Sequence, residues 1–483
     1  MRVMWLSTGS SMLNGDEAAS LTAPLERALT DHFADQIHLA VVFESEYKGQ
    51  AKTVRGIATY YPINADVNQV VFSYQSWERT KAELLRVIED FRPDIIQCFG
   101  SEWRYGAIAE CVSVPVVIHM MGFLNIYFPA LDMVRGYCAI PADSRRKAPE
   151  QRPEDVAAAF ERQRMKANHY FMGRTEWDKN IVKYYSPGAM YFHVPEAIKP
   201  RIYRAAGRWK YHYNGKLRLL TISSADDRKG NEIILRTARI LKELLHIDFE
   251  WRVAGSRDFF PFFERRTGIR HQDVNISLLG RIDTPRIIEE LSSADFFIHP
   301  SIIDNSSNSI CEAQLIGCPV IASNVGGTAQ LIEDSVTGFL YPYNEPHTLA
   351  FLIGNLYREE GVLTRISQSE TEMARKRHDP KLVGEAVLHT YESVIKDWES
   401  RPRVQPNAPD QELPAAVAAT AEAQYAYSVI SNAACRKMTA PLCAVLDRLK
   451  RFPPFALFVK GLKCLKDHGV RYTWRKARDK LRH

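Results

Sequence analysis

Asp304 and Glu312 stand with seven residues between them, and the run that separates them, Asn305 to Cys311, opens polar and closes apolar. Carboxylates at a fixed separation accept paired hydrogen bonds from neighbouring hydroxyls, the chemistry that a polyhydroxylated ligand requires. Taken as local features, Asp304 caps a turn and Glu312 complements a helix dipole. A second cationic element lies upstream. Ser223 ends an apolar run, Ser224-Ala225-Asp226-Asp227-Arg228-Lys229-Gly230 forms a loop, and a helical pattern begins at Glu232. A lysine just before such a helix supplies a point charge while the helix start supplies N–H donors, a pairing suited to a diphosphate. The plain alternative is a surface lysine. His119 closes the run Pro115-Val116-Val117-Ile118, which makes it either a crevice residue or a satisfied structural histidine. Arg174, in Gly173-Arg174-Thr175, is either a crevice cation or a partner in an ion pair within its own domain.

These residues need strands to carry them and helices to back them. Apolar runs at Val3–Ser7, Ile37–Phe43, Asp94–Gly100 and Pro115–His119 read as buried strands, and Ala18–Leu29, Lys81–Phe91 and Pro153–Asn168 have helical periodicity. The loop Gly9–Gly15 after the first strand is loosely glycine-rich; it faces a ligand or is an ordinary tight turn. Tyr191–Tyr203 is extended and proline-bounded, and Arg204–Lys216 reads as a linker or exposed hairpin. A second alternation follows, with strands Leu217–Ser223, Phe249–Gly255, Ile276–Gly280, one ending at His299, and Pro319–Ala322. Helices are expected at Glu232–Leu244, Ile287–Ser292, Ile310–Ile316 with Glu312 in its first turn, His347–Glu359, and through Tyr391 to Trp398. Alternating strands and helices predict parallel sheets with ligands bound beyond the strands' carboxyl ends.

The chain has 483 residues, 46% of them hydrophobic, with a formal charge of +6. That charge is modest for the length and by itself implies no nucleic-acid partner. It is unevenly spread. Between Arg436 and His483 there are fourteen lysines and arginines against three aspartates, a net +11. Leu442, Val445, Leu446 and Leu449 recur there at helical spacing, with Phe452, Phe455 and Phe458 beyond. Basic and apolar together predict a segment lying on an anionic membrane surface, each Lys or Arg adding ~1 kcal/mol; a basic helix packed on the protein is the alternative. Ser400–Pro414 is proline-rich and reads as a linker. The eight cysteines show no C-x-x-C pair. Buried thiols in a reducing compartment are therefore expected, and with no signal-like start or membrane-length apolar run, a cytoplasmic location.

The stretch from His299 to Gly327 resembles the donor-sugar motif of the retaining GT-B glycosyltransferases of family 4. Glu312-Ala313, Gly317, Pro319-Val320-Ile321-Ala322 and Gly326-Gly327 match its second acid, its glycine, its strand and its glycine pair; Asp304 stands where the family has Glu. Lys229-Gly230 is similar to the family's Lys-Gly, with Ser223 where an arginine is usual and Arg228 or Arg174 as its substitutes. The resemblance spans roughly residues 1–400 and implies an α/β GT-B fold. Residues 1–200 would form an acceptor-side domain, 201–380 a donor domain and 381–399 a helix returning to the first domain, with 400–425 a linker and 426–483 a basic helical extension. It implies transfer of a sugar from a nucleotide-sugar donor to a hydroxyl acceptor, a glycan or lipid-linked saccharide, without metal, since no Asp-x-Asp pattern is similar to a metal motif. His119, Lys229, Asp304 and Glu312 would act at the transferred sugar, diphosphate and ribose. Arg174, Ser223, Arg228, Gly255, Arg281, Ile282, Asn308, Ser309 and Ile310 would line the donor site, Arg281-Ile282 beside the base. The rival readings are a non-catalytic subunit and a sugar-nucleotide epimerase on the same fold.

Overall fold

The computed structural model of the chain describes residues 1–13, 21–45, 52–64, 74–137, 153–223, 227–255, 257 and 260–401. The linker and basic tail inferred for 400–425 and 426–483 fall almost wholly outside them. The first half builds an eight-stranded sheet from β1 (Arg2–Ser7), β2 (His38–Ser45), β3 (Thr53–Arg55), β4 (Ala58–Asn64), β5 (Ile95–Phe99), β6 (Val116–His119), β7 (Tyr170–Gly173) and β8 (Met190–His193). Their order is β3-β4-β2-β1-β5-β6-β7-β8, parallel apart from the β3–β4 hairpin. The second half builds a six-stranded parallel sheet from β9 (Leu217–Ser223), β10 (Phe249–Gly255), β11 (Ile276–Gly280), β12 (Phe296–His299), β13 (Val320–Ser323) and β14 (Phe339–Tyr341), ordered β11-β10-β9-β12-β13-β14.

Burial on both faces explains why the strands read as unbroken apolar runs. Val3 and Trp5 enter one core of the first sheet, Met4 and Leu6 the other. Each sheet reverses its winding once, between β1 and β5 in the first and between β9 and β12 in the second. Loops leaving the strands at such a reversal diverge and open a crevice. The loops after β9 and β12 carry Lys229 and Asp304.

Several boundaries differ from the sequence expectation. The first helix is Ala23–Phe33, so Leu21 lies outside it and is 67% exposed. The second is longer than expected, Tyr74–Phe91. The β3–β4 hairpin carried no legible signal, because β3 is only three residues and exposed throughout. Arg204–Lys216 is no exposed hairpin. Trp209 is buried and its indole N–H donates to Ala294 O at 2.7 Å, while the amides of Gly207 and Trp209 donate to the carbonyls of Leu315 and Ile316. Its aromatic content serves the second core. Among the described residues no helix is long and apolar enough to cross a membrane.

The helix Pro380–Ser400 lies on the first sheet, although it follows the second in sequence. Asp379 caps it, its carboxylate accepting from the amides of Lys381 and Leu382. Val383, Val387, Tyr391 and Val394 enter the core that holds Trp5 and Phe33. Gly384 makes this approach possible: a Cβ there would lie 2.4 Å from Cε2 of the Phe33 ring. Ala normally stabilises a helix interior over Gly by ~1 kcal/mol. Here overpacking against a rigid ring, costing about 1–3 kcal/mol, outweighs it. Gly384→Ala is therefore expected to lower stability in urea unfolding, and Phe33→Leu in the same chain to remove most of that loss.

Candidate active site

Lys229 ends a 3-10 turn, Asp227–Lys229, and Gly230 follows in the left-handed region at φ +69°. A Cβ on Gly230 would sit 1.9 Å from the Pro300 carbonyl oxygen. The missing side chain lets the loops after β9 and β12 touch, and Ile302 N–H donates to Arg228 O at 2.7 Å across the contact. Lys229 Nζ thereby reaches Asp304 Oδ2 at 2.6 Å, and His299 Nε2 lies 3.3 Å from the same oxygen. Burial alone would raise the Asp304 carboxyl; the Lys229 charge and the His299 contact outweigh it and hold it well below the usual carboxylate range. Burial keeps His299 low and hence neutral.

Asp304 is also fixed from behind. Gly327 N–H donates to its carbonyl at 3.1 Å, and Gly326, at φ +52°, would place a Cβ 2.1 Å from that carbonyl. The helix beyond the loop is Asn308–Ile316, two residues longer at its start than expected, so Glu312 lies in its second turn and not its first. Ser307 occupies the N-cap, but its hydroxyl meets Ser309 Oγ at 2.9 Å instead of a backbone amide. The amides of Ile310 and Cys311 already donate to Ser307 O. Ile310 is thus withdrawn from the expected donor set, and Asn308 and Ser309 supply the outward N–H groups of the helix start. Glu312 is 5% exposed and accepts from Lys199 Nζ at 2.9 Å.

The first half reaches this loop through Thr175. Its hydroxyl accepts from Asp178 N–H as a helix cap and donates to Asn305 Oδ1 at 2.9 Å; Asn305 Nδ2 in turn donates to Asp178 Oδ2 at 3.0 Å. Burial pushes the Asp178 carboxyl up. Arg228 lies over the Tyr127 ring, 4.2 Å from its centroid. Tyr127 and Leu131 pack on Ile302 and Ile303. Arg174 takes the ion-pair alternative, its guanidinium 3.8 Å from Glu196 Oε1 and 2.9 Å from Met121 Sδ. The Ser223 hydroxyl donates to Asn231 Oδ1 at 3.0 Å. Gly255 presses on Ser223: its Cβ would lie 1.6 Å from the Ser223 carbonyl oxygen. Arg281 is exposed, and Ile282 packs on the second core.

His119 ends β6, 4% exposed, its Nδ1 3.1 Å from Gln97 Nε2 and its Nε2 without a hydrogen-bond partner. Burial, then the Arg174 charge, pushes the imidazole well below its usual range, so the ring is neutral. Nearby Glu102 is raised to about 7 by burial, with Glu161 adding to it. Glu196, Cys311 and His378 are all buried and offer ligand atoms within 4.8 Å of one another. The Arg174 guanidinium beside Glu196 already supplies a positive charge there. Lys199, His299, Asn305 and Glu102 escaped the sequence reading. His299 had a signal, the strand-end position shared with His119; Lys199 and Glu102 had none.

The Asp304 pair sets a pH dependence. A carboxyl depressed on folding contributes stability above its unfolded range, and that contribution is lost as pH falls through the folded value. Lys229→Met is expected to cost about 3 kcal/mol at neutral pH. In urea titrations the gap to wild type should close progressively below about pH 4.

Residues 207–373 match the family model described as glycosyl transferases group 1. The amylovoran biosynthesis glycosyltransferase AmsK of Erwinia amylovora is 28% identical over 165 residues, 32% of this chain and 37% of AmsK. The match therefore spans well under half of that relative's length. Among solved structures, sucrose-phosphate synthase from Thermosynechococcus elongatus superposes with a TM-score of 0.64 at 12% identity, covering 82% of this chain and 99% of that one. Anabaena Alr3699/HepE in complex with UDP-glucose superposes at 0.55 with 15% identity, covering 81% and 100%. The second half of the chain is thus similar in sequence to the group 1 glycosyl transferases over residues 207–373, and the described chain has the GT-B fold.

Proposed function

We propose that the chain is a retaining glycosyltransferase of the family 4 type, moving a sugar from a nucleoside-diphosphate donor to a hydroxyl of a glycan or lipid-linked acceptor. The observation that carries this reading is the pairing of Lys229 with Asp304 at the reversal point of the second sheet, on the loop that leads into the helix bearing Glu312. In this reading Lys229 and the N–H groups of Asn308 and Ser309 hold the leaving diphosphate, stabilising charge as the glycosidic bond breaks. Glu312 binds the ribose diol with Lys199 balancing its charge. Asp304 contacts the donor sugar, and His119 offers its free Nε2 to a sugar or acceptor hydroxyl. Neither the sugar nor the base is specified by these groups. UDP is the first base to test, because the structural neighbour Alr3699/HepE is described in complex with UDP-glucose. Surface polysaccharide synthesis fits the similarity to the capsular polysaccharide biosynthesis glycosyltransferase CapM of Staphylococcus aureus, and the basic segment 436–483 fits an acceptor held at an anionic membrane.

A second reading, a nucleotide-binding subunit without transfer, draws on the Lys229–Asp304 pair, which engages the lysine before any donor arrives, and on Ser223 in place of an arginine.

Thermal shift with UDP, GDP, ADP and their common sugars separates these. One nucleotide should stabilise the wild type, and Glu312→Ala should weaken it roughly 10- to 100-fold, the size of a lost charge-assisted contact. A folded protein shifted by none of them sinks the donor site. Binding without transfer or hydrolysis selects the second reading. With an acceptor in hand, proton NMR of the first product should show the donor's own anomeric configuration; the inverted anomer overturns retention.

A further inference from the structure

Four buried side chains from three adjacent strands and the returning helix form a hydrogen-bonded chain that ends on His119. Trp5 and Gln97 are register partners on β1 and β5, and Phe99 and His119 on β5 and β6, so Trp5, Gln97 and His119 share one face of the sheet. Tyr391 descends onto that face from the helix Pro380–Ser400. Trp5 Nε1–H donates to Tyr391 Oη at 2.9 Å; Tyr391 O–H donates to Gln97 Oε1; Gln97 Nε2 lies 3.1 Å from His119 Nδ1. Trp5, Gln97 and Tyr391 are fully buried.

The direction of this chain follows from its first member. An indole N–H only donates. Tyr391 Oη therefore accepts from Trp5 and must place its own proton on an acceptor, and Gln97 Oε1 is in reach. The reversed amide would put Nε2 against Tyr391 and leave a buried hydroxyl proton without an acceptor, which costs more than any compensating contact returns. With Oε1 turned to Tyr391, Nε2 faces His119, and an amide nitrogen can only donate. Nδ1 is thereby an acceptor, and the proton of the neutral ring resides on Nε2.

We propose that Trp5, Tyr391 and Gln97 are positioning residues that set the His119 tautomer, presenting Nε2–H as a neutral hydrogen-bond donor to a ligand hydroxyl oxygen. The use of that donor rests on the function proposed above; the tautomer does not. Phe99 packs edge-on to Trp5 and against the imidazole, holding the ring plane. Among the described residues the charged group acting on the ring is Arg174 from the loop after β7, and it opposes protonation together with burial. A donor facing Nδ1 gives a second proton no site there. His119 thus stays a donor through the range where an unperturbed histidine would switch. The device ties the chain's last described helix to a group at the sheet's carboxyl end, with the first strand supplying the residue that sets the polarity.

The test is long-range proton–nitrogen correlation NMR on the full chain labelled with [15N]histidine, His119 being assigned by loss of its signal in His119→Asn. The expected spectrum shows a protonated Nε2 and a bare Nδ1, unchanged from about pH 5.5 to 8. A proton on Nδ1, or an ordinary titration in that range, overturns the proposal. In Gln97→Glu the carboxylate accepts from Nδ1–H, so the proton should move to Nδ1 and the ring should begin to titrate; a spectrum identical to wild type overturns it. Tyr391→Phe frees the amide to reverse, and a mixture of tautomers with kcat down about tenfold and KM little changed is expected, the size of one buried hydrogen bond. A purely packing role for Tyr391 would lower stability and leave the tautomer alone. The nitrogen spectrum needs no nucleotide, so an Nε2–H ring in a protein that binds no nucleotide supports the relay and removes the donor reading.

Discussion

The close approach of Gly230 to the Pro300 carbonyl is the constraint on which the candidate site depends. It brings two loops together at the one place where the second sheet reverses, and only a residue without Cβ, free to adopt a positive φ, can stand there. Lys229 meets Asp304 because of it. The same device recurs on the other side of the loop, where Gly326 and Gly327 press on the carbonyls of Asp304 and Asn305. Asp304 is thus clamped through its backbone between two glycine contacts, and its side chain has little choice of direction.

Charge in this region is balanced before any ligand arrives. Lys229 pairs with Asp304, Lys199 with Glu312 and Arg174 with Glu196. Buried carboxylates without such partners would carry a large desolvation cost. A donor that binds here would have to exchange these partners, so affinity would report the difference between old and new contacts. The cations nearest to Glu312 and Glu196 come from the first half of the chain or its junction with the second, which couples the site's electrostatics to how the halves meet.

The halves meet through specific polar contacts as well as apolar ones. Asn305 is held by Thr175 and Asp178, and Tyr127 and Leu131 cover Ile302 and Ile303. The helix Pro380–Ser400 adds a topological tie, since it leaves the second half and buries its face on the first sheet. Through Tyr391 that packing also reaches Gln97 and His119, so one helix serves both cohesion and the state of a histidine ring.

The fold class was legible from sequence because buried parallel strands are continuous apolar runs separated by helical periodicity, a local pattern that survives without tertiary information. Much of the candidate site was legible too, because Asp304, its glycine pair and its lysine fall within short loops and Glu312 sits on the short helix that follows. What only the tertiary structure decided is partnership. Lys229 and Asp304 are 75 residues apart, Lys199 and Glu312 113, and Gln97 and Tyr391 294. No spacing rule reaches such separations. The helix start at Asn308, which moved Glu312 into the second turn and removed Ile310 from the free donors, was decided by Ser307 accepting two amides. Trp209 looked exposed because aromatic and basic residues mix in its segment, and only the neighbouring core could bury it. Residue types and short loops are written locally, whereas charge partners, tautomers and helix ends depend on which surfaces come together.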